Sequence, residues 1–335
     1  MKEYRRLSIN EVVNTLCSKA KFLILFHVNP DGDSTASAFA LKAMLEACGK
    51  EAYCLCAHSV PERLLFISKS QKSVLYSSLP ADFKYDCIIT CDTASPSRLG
   101  DLWDVFGDKI DLMIDHHGVG TVYADNYIVP EASATGEILY DILTELGRAN
   151  GIDELPIEVA KLIYTAISAD TGCFRYNNVK ERTHTIAAQL ISRGIDSADI
   201  NHKLFGIKTL KQMQVEHAGF ERMNFYNDGK VAIITFPYDL RMQYGADDET
   251  LETLIDVARC VKGVEISVVI KQTSEEKKFR VSTRSNADFD VAKLCSFYGG
   301  GGHERAAGCT LNCDSILSAE ITMVSAIENL LAEKI

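Results

Sequence analysis

Four short segments of the sequence place aspartate and histidine side chains next to one another. They are His27-Val-Asn-Pro-Asp31-Gly-Asp33, Cys91-Asp92-Thr93, Asp115-His116-His117 and Ala169-Asp170-Thr171-Gly172. Converging carboxylates repel one another and are costly to desolvate unless cations neutralise them. Carboxylates mixed with imidazoles, without thiolates, suit Mn²⁺, Mg²⁺, Fe²⁺ or Co²⁺ better than a structural zinc ion. If the four segments meet, they predict a centre for divalent metal ions.

Each segment taken alone also fits a plain structural role. An Asp-Gly pair after a strand is usually a turn, and aspartate is a common helix N-cap. The residues after Asp31 lack the spaced oxygen ligands of an EF-hand, and no GxGxxG motif follows the first strand. It is the order of the segments at successive strand ends that favours a metal site.

The elements that must position these residues alternate along the first half of the chain. Apolar runs predict strands, and helical periodicity predicts helices between them. The predicted strands are Phe22–Phe26, Glu51–Ala57, Asp86–Cys91 and Ile110–Ile114, and the predicted helices are Ser34–Cys48, Ala134–Leu146 and a helix from Pro156 to about Ala169. This alternation predicts a doubly wound, mostly parallel sheet, whose strand carboxyl ends face one crevice. We expect Asp170, at a helix end, to reach the same crevice.

The second half predicts a smaller mixed α/β domain. Its predicted elements are the strands Lys230–Phe236, Gly263–Lys271 and Lys278–Arg284 and a terminal helix over about Ser315–Lys334. At 335 residues and about 150 residues per domain, two domains are expected. We place their boundaries at 1–185 and 216–335, with a helical linker over 186–215.

Composition narrows the classes of partner. The formal net charge is −11, so no chain-wide basic field exists to hold a long nucleic acid duplex. A small anion can still bind where cations or amides are concentrated. No apolar run approaches the ~18 residues that span a bilayer, so we expect no membrane partner. Eleven cysteines without a CxxC pair indicate a reduced, cytoplasmic protein.

Four consecutive glycines mark a second candidate site. They predict a loop, not the interior of a helix or strand, because glycine tolerates positive φ and lets the backbone approach a ligand closely. Successive amides in such a loop can form an anion-binding nest. The candidate substrate-binding residues are Arg284, Ser285, Asn286, Gly299, Gly300, Gly301, Gly302, His303 and Arg305. A local cradle of this kind on an acidic protein suits a short phosphorylated ligand.

These motifs make the chain resemble the DHH superfamily of phosphoesterases, named for the triplet that here is Asp115-His116-His117. All four motifs of that superfamily occur in order. The second half resembles the companion DHHA1 domain through the segment GGGGHERAAG over 299–308. The two-domain layout is most similar to the nanoRNase type, which comprises oligoribonucleases that also dephosphorylate 3′-phosphoadenosine 5′-phosphate.

The resemblance implies a dinuclear site, usually for manganese, with Mg²⁺, Co²⁺ or Fe²⁺ as alternatives. One metal would be held by His27, Asp31 and Asp92, and the other by Asp33, Asp92, His116 and Asp170, with Asp92 bridging. Asp115 would orient a histidine, as ligating imidazoles generally require. No position departs from the motifs, so we expect an active enzyme.

The expected chemistry is two-metal hydrolysis of a phosphoric ester. His117 would contact the phosphoryl oxygens or donate a proton to the leaving group. The second domain would anchor the rest of the nucleotide. The expected products are nucleoside 5′-monophosphates from short RNA oligonucleotides, or AMP and phosphate from 3′-phosphoadenosine 5′-phosphate.

Other activities remain open. The chain could prefer cyclic di-AMP or linear di-adenylate. A processive single-strand exonuclease is disfavoured by the acidic charge, and a family II pyrophosphatase by the segment GGGGHERAAG. A non-catalytic nucleotide sensor would be expected to have lost a metal ligand. A homodimer is compatible with the sequence.

Overall fold

The computed structural model describes residues 3–70 and 74–332. The chain divides into two compact units, Met1–Ile207 and Lys208–Ile335. Within the described ranges, no helix is both long enough and apolar enough to cross a membrane.

A parallel sheet forms the centre of the first unit. Its strands, within the described ranges, are β1 (Lys21–Phe26), β2 (Glu51–Leu55), β3 (Cys87–Cys91), β4 (Leu112–Asp115) and β5 (Asp125–Ile128). They lie in the order β2-β1-β3-β4-β5, and every neighbouring pair is parallel. In this order the chain turns back between β1 and β3, which is where open α/β sheets bind their ligands.

Helices cover both faces of this sheet, which gives the unit two apolar layers. They are α1 (Ile9–Ser18), α2 (Gly32–Ala47), α3 (Leu65–Ser68), α4 (Leu102–Phe106), α5 (Thr135–Ala149), α6 (Ile157–Asp170), α7 (Glu181–Ser192) and α8 (Ser197–Asn201). Alternate residues of β1 point to opposite faces. Phe22 and Ile24 join the core formed with α2, α5 and α6, whereas Leu23 packs with Leu102 and Phe106 of α4.

The register of the sheet brings the predicted site residues to one level. Phe26 of β1 is paired with Cys91 of β3, and Cys91 is paired with Ile114 of β4. The next residue along each strand is His27, Asp92 and Asp115, respectively. These three side chains therefore start from adjacent points on the carboxyl edge of the sheet.

The second unit is built on a mixed sheet. Its strands, in the described part of the chain, are β6 (Met223–Tyr226), β7 (Val231–Phe236), β8 (Ile266–Gln272), β9 (Lys278–Ser285), β10 (Gly301–His303) and β11 (Ala306–Asn312). They lie in the order β10-β11-β9-β8-β7-β6. The β7–β8 pair is parallel and the other pairs are antiparallel.

Two helical layers pack on the faces of this second sheet. The helices are α9 (Leu210–Phe220), α10 (Tyr238–Tyr244), α11 (Asp248–Glu252), α12 (Leu254–Arg259), α13 (Val291–Ser296) and α14 (Ile316–Ala332). Phe279 and Val281 of β9 pack with α13 and α14. Ile234 of β7 and Val269 of β8 pack on the other face with α9 and α12.

The fold class predicted from the sequence is confirmed: a mostly parallel α/β domain precedes a smaller mixed one. The segment predicted as a linker is helical. Its first part, with α8 and a π-helical turn at His202–Gly206, belongs to the first unit, and α9 belongs to the second. The exact limits 1–185 and 216–335 stay a prediction.

One local prediction was wrong. The four glycines do not form a single loop, because Gly301 and Gly302 belong to β10, an edge strand paired with β11. The backbones approach so closely that no side chain fits at these positions. A Cβ at Gly302 would lie 2.5 Å from the Ala306 carbonyl oxygen, and a Cβ at Gly300 would lie 2.3 Å from the Gly308 carbonyl oxygen. Glycine is required there by the approach of two backbones.

Candidate metal centre

Asp92 lies at the middle of the site, directly after β3. Its side chain is buried, and its backbone has φ 55°, in the left-handed region. The Asp92 amide donates to the Ile114 carbonyl at 3.0 Å, which ties this turn to β4. A non-glycine residue held at positive φ is strained, and such strain is concentrated at functional sites.

His27 faces one oxygen of Asp92. The His27 ring is 2% exposed, and its Nδ1 lies 2.8 Å from the Val28 carbonyl oxygen. A carbonyl only accepts, so Nδ1 carries the proton and Nε2 presents its lone pair. Nε2 has no hydrogen-bond partner among the described residues and lies 3.3 Å from Asp31 Oδ2 and 3.5 Å from Asp92 Oδ2. A buried, unpartnered imidazole nitrogen beside two carboxylates fits a metal ligand.

The start of α2 supplies two more carboxylates. Asp31 is the N-cap of α2, and its Oδ1 accepts from the Ser34 amide at 2.9 Å. Asp33 follows in the first turn, where its oxygens accept from Ser37 Oγ at 2.8 Å and from the Thr135 amide at 2.7 Å. The Asp-Gly-Asp spacing therefore starts a helix and directs both carboxylates towards the end of β3.

The first residues of α5 hold the carboxylates in place. The Gly136 amide donates to Asp33 Oδ1 at 3.1 Å, and Thr135 Oγ1 donates to Asp92 Oδ1 at 3.0 Å. The Thr135 and Gly136 amides belong to the first turn of the helix, where they have no partner within the helix and the partial positive charge favours an anion. Sequence reasoning missed both residues, although the small and polar run Ser133-Ala-Thr-Gly136 before a helix was a signal for them.

His116 completes a second group of ligands. Its Nδ1 lies 3.3 Å from the Ala132 carbonyl oxygen, which again leaves Nε2 as the free acceptor. Nε2 lies 3.6 Å from Asp92 Oδ1, 3.8 Å from Asp170 Oδ2 and 4.0 Å from Asp33 Oδ2. The two oxygens of Asp92 thus face two different groups of nitrogen and oxygen donors.

Asp170 reaches the site from the last position of α6, as predicted. Asn178 Nδ2 donates to the Asp170 carbonyl at 3.2 Å and lies 3.4 Å from Oδ2. Gly172 then turns the chain with φ 56°, where an added Cβ would lie 2.2 Å from the Tyr176 ring. Asn178 was not identified from the sequence, since no spacing rule connects it to the site.

The charges of the site are unbalanced without cations. Burial opposes protonation of His27, but the Asp31 and Asp92 carboxylates outweigh it and raise the pKa of His27 to about 10. For Asp170, burial and then repulsion from Asp92 and Asp31 raise the pKa to about 8. Burial and repulsion also raise the pKa of Asp33 well above its usual value. Protons therefore occupy positions that divalent cations would neutralise better.

His117 is held differently from the other two histidines. Its Nδ1 lies 2.7 Å from Asp115 Oδ1, and the same oxygen accepts from the His117 amide at 2.8 Å. Burial lowers the pKa of His117, but the bond to Asp115 and the charge of Asp92 raise it overall. Because Nδ1 donates to a carboxylate, its lone pair is not available to a metal. Asp115 therefore orients His117, and the chemistry of this ring depends on Nε2.

Taken together, the structure brings six predicted ligands into two neighbouring groups. The ligand atoms of His27, Asp31 and Asp92 lie within 4.8 Å of one another, and so do those of Asp33, His116 and Asp170. A third such group combines Asp92 with His116 and His117. The donor set is imidazole and carboxylate, and among the described residues no thiol enters any of these groups.

The predicted substrate residues lie in the second unit, and two of them, Ser285 and Asn286, form hydrogen bonds within that unit. Ser285 Oγ donates to the Ala287 carbonyl at 2.7 Å, and Asn286 Oδ1 accepts from Arg259 Nε at 2.7 Å. Asn286 Nδ2 also donates to the Val264 carbonyl at 3.1 Å. These two side chains are used to hold the end of β9, so any effect on a ligand would be indirect.

The other predicted substrate residues are more accessible. His303 is exposed at the end of β10, and Arg284 is half-buried on β9, two residues from half-buried Ser282 on the same face. Arg305 Nη2 lies 3.8 Å from the exposed Asp288 carboxylate. Gly299 has φ 69°, which only glycine adopts without strain.

Comparison with known proteins identifies the family. Residues 21–167 match the DHH family, N-terminal domain, and residues 228–333 match the DHHA1 domain. Over 293 residues the chain is 30% identical to the bifunctional oligoribonuclease and PAP phosphatase NrnA of Thermus thermophilus, covering 86% of this chain and 83% of that protein. This chain belongs to the DHH–DHHA1 phosphoesterases. It is therefore a metal-dependent hydrolase of phosphoric esters.

Two further matches show how far the similarity extends. The cyclic-di-AMP phosphodiesterase PdeA of Listeria monocytogenes is 28% identical over 256 residues, which cover 72% of this chain and 36% of PdeA. An exopolyphosphatase-related protein of Bacteroides fragilis superposes with a TM-score of 0.85 at 24% identity, covering 96% of this chain and 95% of that one. The latter match shows the shared fold of both domains.

Proposed function

We propose that this phosphoesterase hydrolyses short oligoribonucleotides to nucleoside 5′-monophosphates and 3′-phosphoadenosine 5′-phosphate to AMP. The observation that carries the proposal is the NrnA relative, which is matched across both domains. The charge distribution supports it. A chain of net charge −11 does not hold a long duplex, whereas a few local donors suffice for a short nucleotide.

The metal ions proposed are two divalent cations, with Mn²⁺ as the first candidate. His27, Asp31 and Asp92 would hold one, and Asp33, Asp92, His116 and Asp170 would hold the other. The unpartnered Nε2 of His27 and the opposing oxygens of Asp92 support this division. When bound, such ions activate a water and offset charge on the attacking and leaving oxygens.

The protein side chains then have separate tasks. Asp115 accepts from His117 Nδ1, which fixes the tautomer and the orientation of the ring. His117 Nε2 donates its proton to the ester oxygen as the P–O bond breaks, so the leaving group departs as an alcohol. In the second unit, Arg284, His303, Arg305 and the amides near Gly299 bind the part of the nucleotide remote from the metals.

A panel of substrates with added Mn²⁺ tests the proposal. It contains RNA of two to five nucleotides, 3′-phosphoadenosine 5′-phosphate, cyclic di-AMP and pyrophosphate. We expect the highest kcat/KM on the short RNAs and on 3′-phosphoadenosine 5′-phosphate, and no turnover after metal removal. Pyrophosphate as the preferred substrate would contradict the proposal.

One alternative has a specific observation in its favour. The PdeA relative favours a phosphodiesterase for cyclic di-AMP or linear di-adenylate. The same panel separates the two functions, because a cyclic dinucleotide has no terminal phosphate. A kcat/KM for cyclic di-AMP above that for all linear substrates would establish the alternative.

The cellular location and the quaternary state belong to the same proposal. The eleven cysteines, all within the described ranges, are free thiols, which supports a reducing, cytoplasmic location. A homodimer is proposed as the quaternary state. Light scattering on the purified protein tests it, and a mass of one chain would contradict it.

A further inference from the structure

Arg98 lies beside the metal centre and is not among its predicted residues. It belongs to a 3₁₀ turn, Pro96–Leu99, that follows β3. The Val28 amide donates to the Arg98 carbonyl at 2.7 Å. Gly100 has φ 55°, and a Cβ there would lie 2.7 Å from Val28 Cγ1. These contacts fix the turn against the loop that carries His27, so the position of Arg98 is defined by the backbone.

The guanidinium of Arg98 points towards the catalytic histidine. Its Nη1 lies 3.4 Å from His117 Nε2. The charge of Arg98 also acts on Asp170 and on His117, where it opposes protonation. The side chain is half-buried. Arg98 therefore lies next to the centre and is partly open to solvent.

The surroundings of Arg98 leave most of its hydrogen-bonding capacity unused. Among the described residues, no carboxylate lies within ion-pair distance of it, and His117 is the one side chain that its donors contact. By contrast, Arg193 pairs with Glu154, and Arg182 with Asp141. A guanidinium has five N–H donors in a planar fork, so donors of the partly exposed Arg98 are available to a ligand.

We infer that Arg98 binds the phosphoryl group of the substrate, together with His117. A cluster of carboxylates repels a phosphoester, so a fixed cation at its edge favours the approach of the substrate. A guanidinium matches two phosphoryl oxygens with paired N–H donors, which a lysine cannot reproduce. His117 Nε2 and the nearby guanidinium of Arg98 lie together at the centre, where a phosphoryl group can contact both.

This role differs from that proposed for the second unit. Arg98 would contact the reacting phosphoryl group itself, whose oxygens carry charge in the transition state. Every phosphoester substrate presents that group, whatever is attached to it. Loss of Arg98 should therefore reduce turnover of nucleotides and of a minimal chromogenic diester by a similar factor. The inference rests on the proposed function only in its choice of nucleotide substrates.

The test compares R98A and R98K with the wild type and with R148A, a control at an exposed arginine of α5 that pairs with Glu145. Binding of inorganic phosphate to the Mn²⁺-loaded protein is measured by calorimetry. The kcat/KM is measured for 3′-phosphoadenosine 5′-phosphate, a diribonucleotide and bis-p-nitrophenyl phosphate. Metal content is measured for each variant.

We expect R98A to weaken phosphate binding and to lower kcat/KM on all three substrates by about 10- to 100-fold. R98K should recover part of the loss, and the metal content and R148A should match the wild type. Unchanged phosphate affinity would overturn the inference, and so would loss of metal in R98A. If the nucleotides are not turned over but R98A still weakens phosphate binding, the proposed function fails and the role of Arg98 stands.

Discussion

Asp92 connects the two groups of ligands at the level of single atoms. Its Oδ2 lies 3.5 Å from His27 Nε2, and its Oδ1 lies 3.6 Å from His116 Nε2. Burial alone would raise the pKa of Asp92, but the three histidines around it lower that pKa strongly. This carboxylate therefore stays ionised, as the proposed bridging role requires.

We predict that D92A abolishes turnover and leaves the fold intact. The substitution removes the shared ligand, and it also relieves repulsion among the remaining carboxylates, which limits the loss of stability. Metal analysis should show reduced Mn²⁺ occupancy, and circular dichroism should be unchanged. D104A, at an exposed aspartate of α4, is the control. A wild-type rate with full occupancy would refute the assignment.

H117A should separate chemistry from metal binding. Because His117 Nδ1 is bonded to Asp115, we expect its ring to act on the substrate and not on a metal. The Mn²⁺ content should stay near that of the wild type, while kcat falls by about 10²–10⁴-fold, the usual contribution of a general acid. D115N should lower kcat in the same direction. Loss of a metal ion in H117A would show that His117 is a ligand.

At the scale of elements, the centre depends on where strands end and helices begin. The strands β1, β3 and β4 end at one level, and the N-termini of α2 and α5 face that level. The N-terminus of α5 is directed at Asp33 and Asp92, which are carboxylates of the protein. The Thr135 and Gly136 amides bond to Asp33 and the Thr135 hydroxyl bonds to Asp92, so this N-terminus holds both carboxylates in place.

T135V should weaken metal binding without removing a ligand. The valine keeps the shape of the side chain and the hydrogen bond from the backbone amide to Asp33. It loses the hydroxyl that donates to Asp92. We expect the Kd for Mn²⁺ to rise by about 10- to 100-fold, as for other residues that orient ligands. T135S should restore the affinity. T144V removes a hydroxyl of the same helix that donates to the Tyr140 carbonyl, and it should leave the Kd unchanged.

At the scale of the whole molecule, we propose that the first unit carries out the chemistry and that the second unit recognises the substrate. The first unit carries the carboxylates and histidines. The second unit carries Arg284, His303 and Arg305 on or next to β9, β10 and β11. Although the net charge is acidic, both units contain local basic residues. These are Arg98 in the first unit and Arg284, His303 and Arg305 in the second.

R284A and H303A should lower kcat/KM for nucleotides more than kcat/KM for a minimal substrate. A charge-assisted bond contributes about 1.5–3 kcal/mol, so kcat/KM for 3′-phosphoadenosine 5′-phosphate should fall by about 10- to 100-fold. Bis-p-nitrophenyl phosphate lacks the remote groups and should be affected little. Remote binding energy also orients a substrate, so kcat can fall together with affinity. Equal losses on both substrates would mean that these residues are structural.

The sequence alone was sufficient for the fold class, and it identified six candidate ligands that the structure brings close together. The fold class is predictable because the spacing of apolar residues in strands and helices is a local property of the sequence. The motifs come directly after strands, and parallel pairing brings the ends of those strands to one edge of the sheet. The contacts of Thr135, Asn178 and Arg98 were decided by tertiary structure, because their partners lie far away in the chain or across a turn. The same holds for Gly301 and Gly302, whose place in β10 depends on the approach of β11. Local sequence encodes the identity of a ligand, but only packing determines which neighbours orient it.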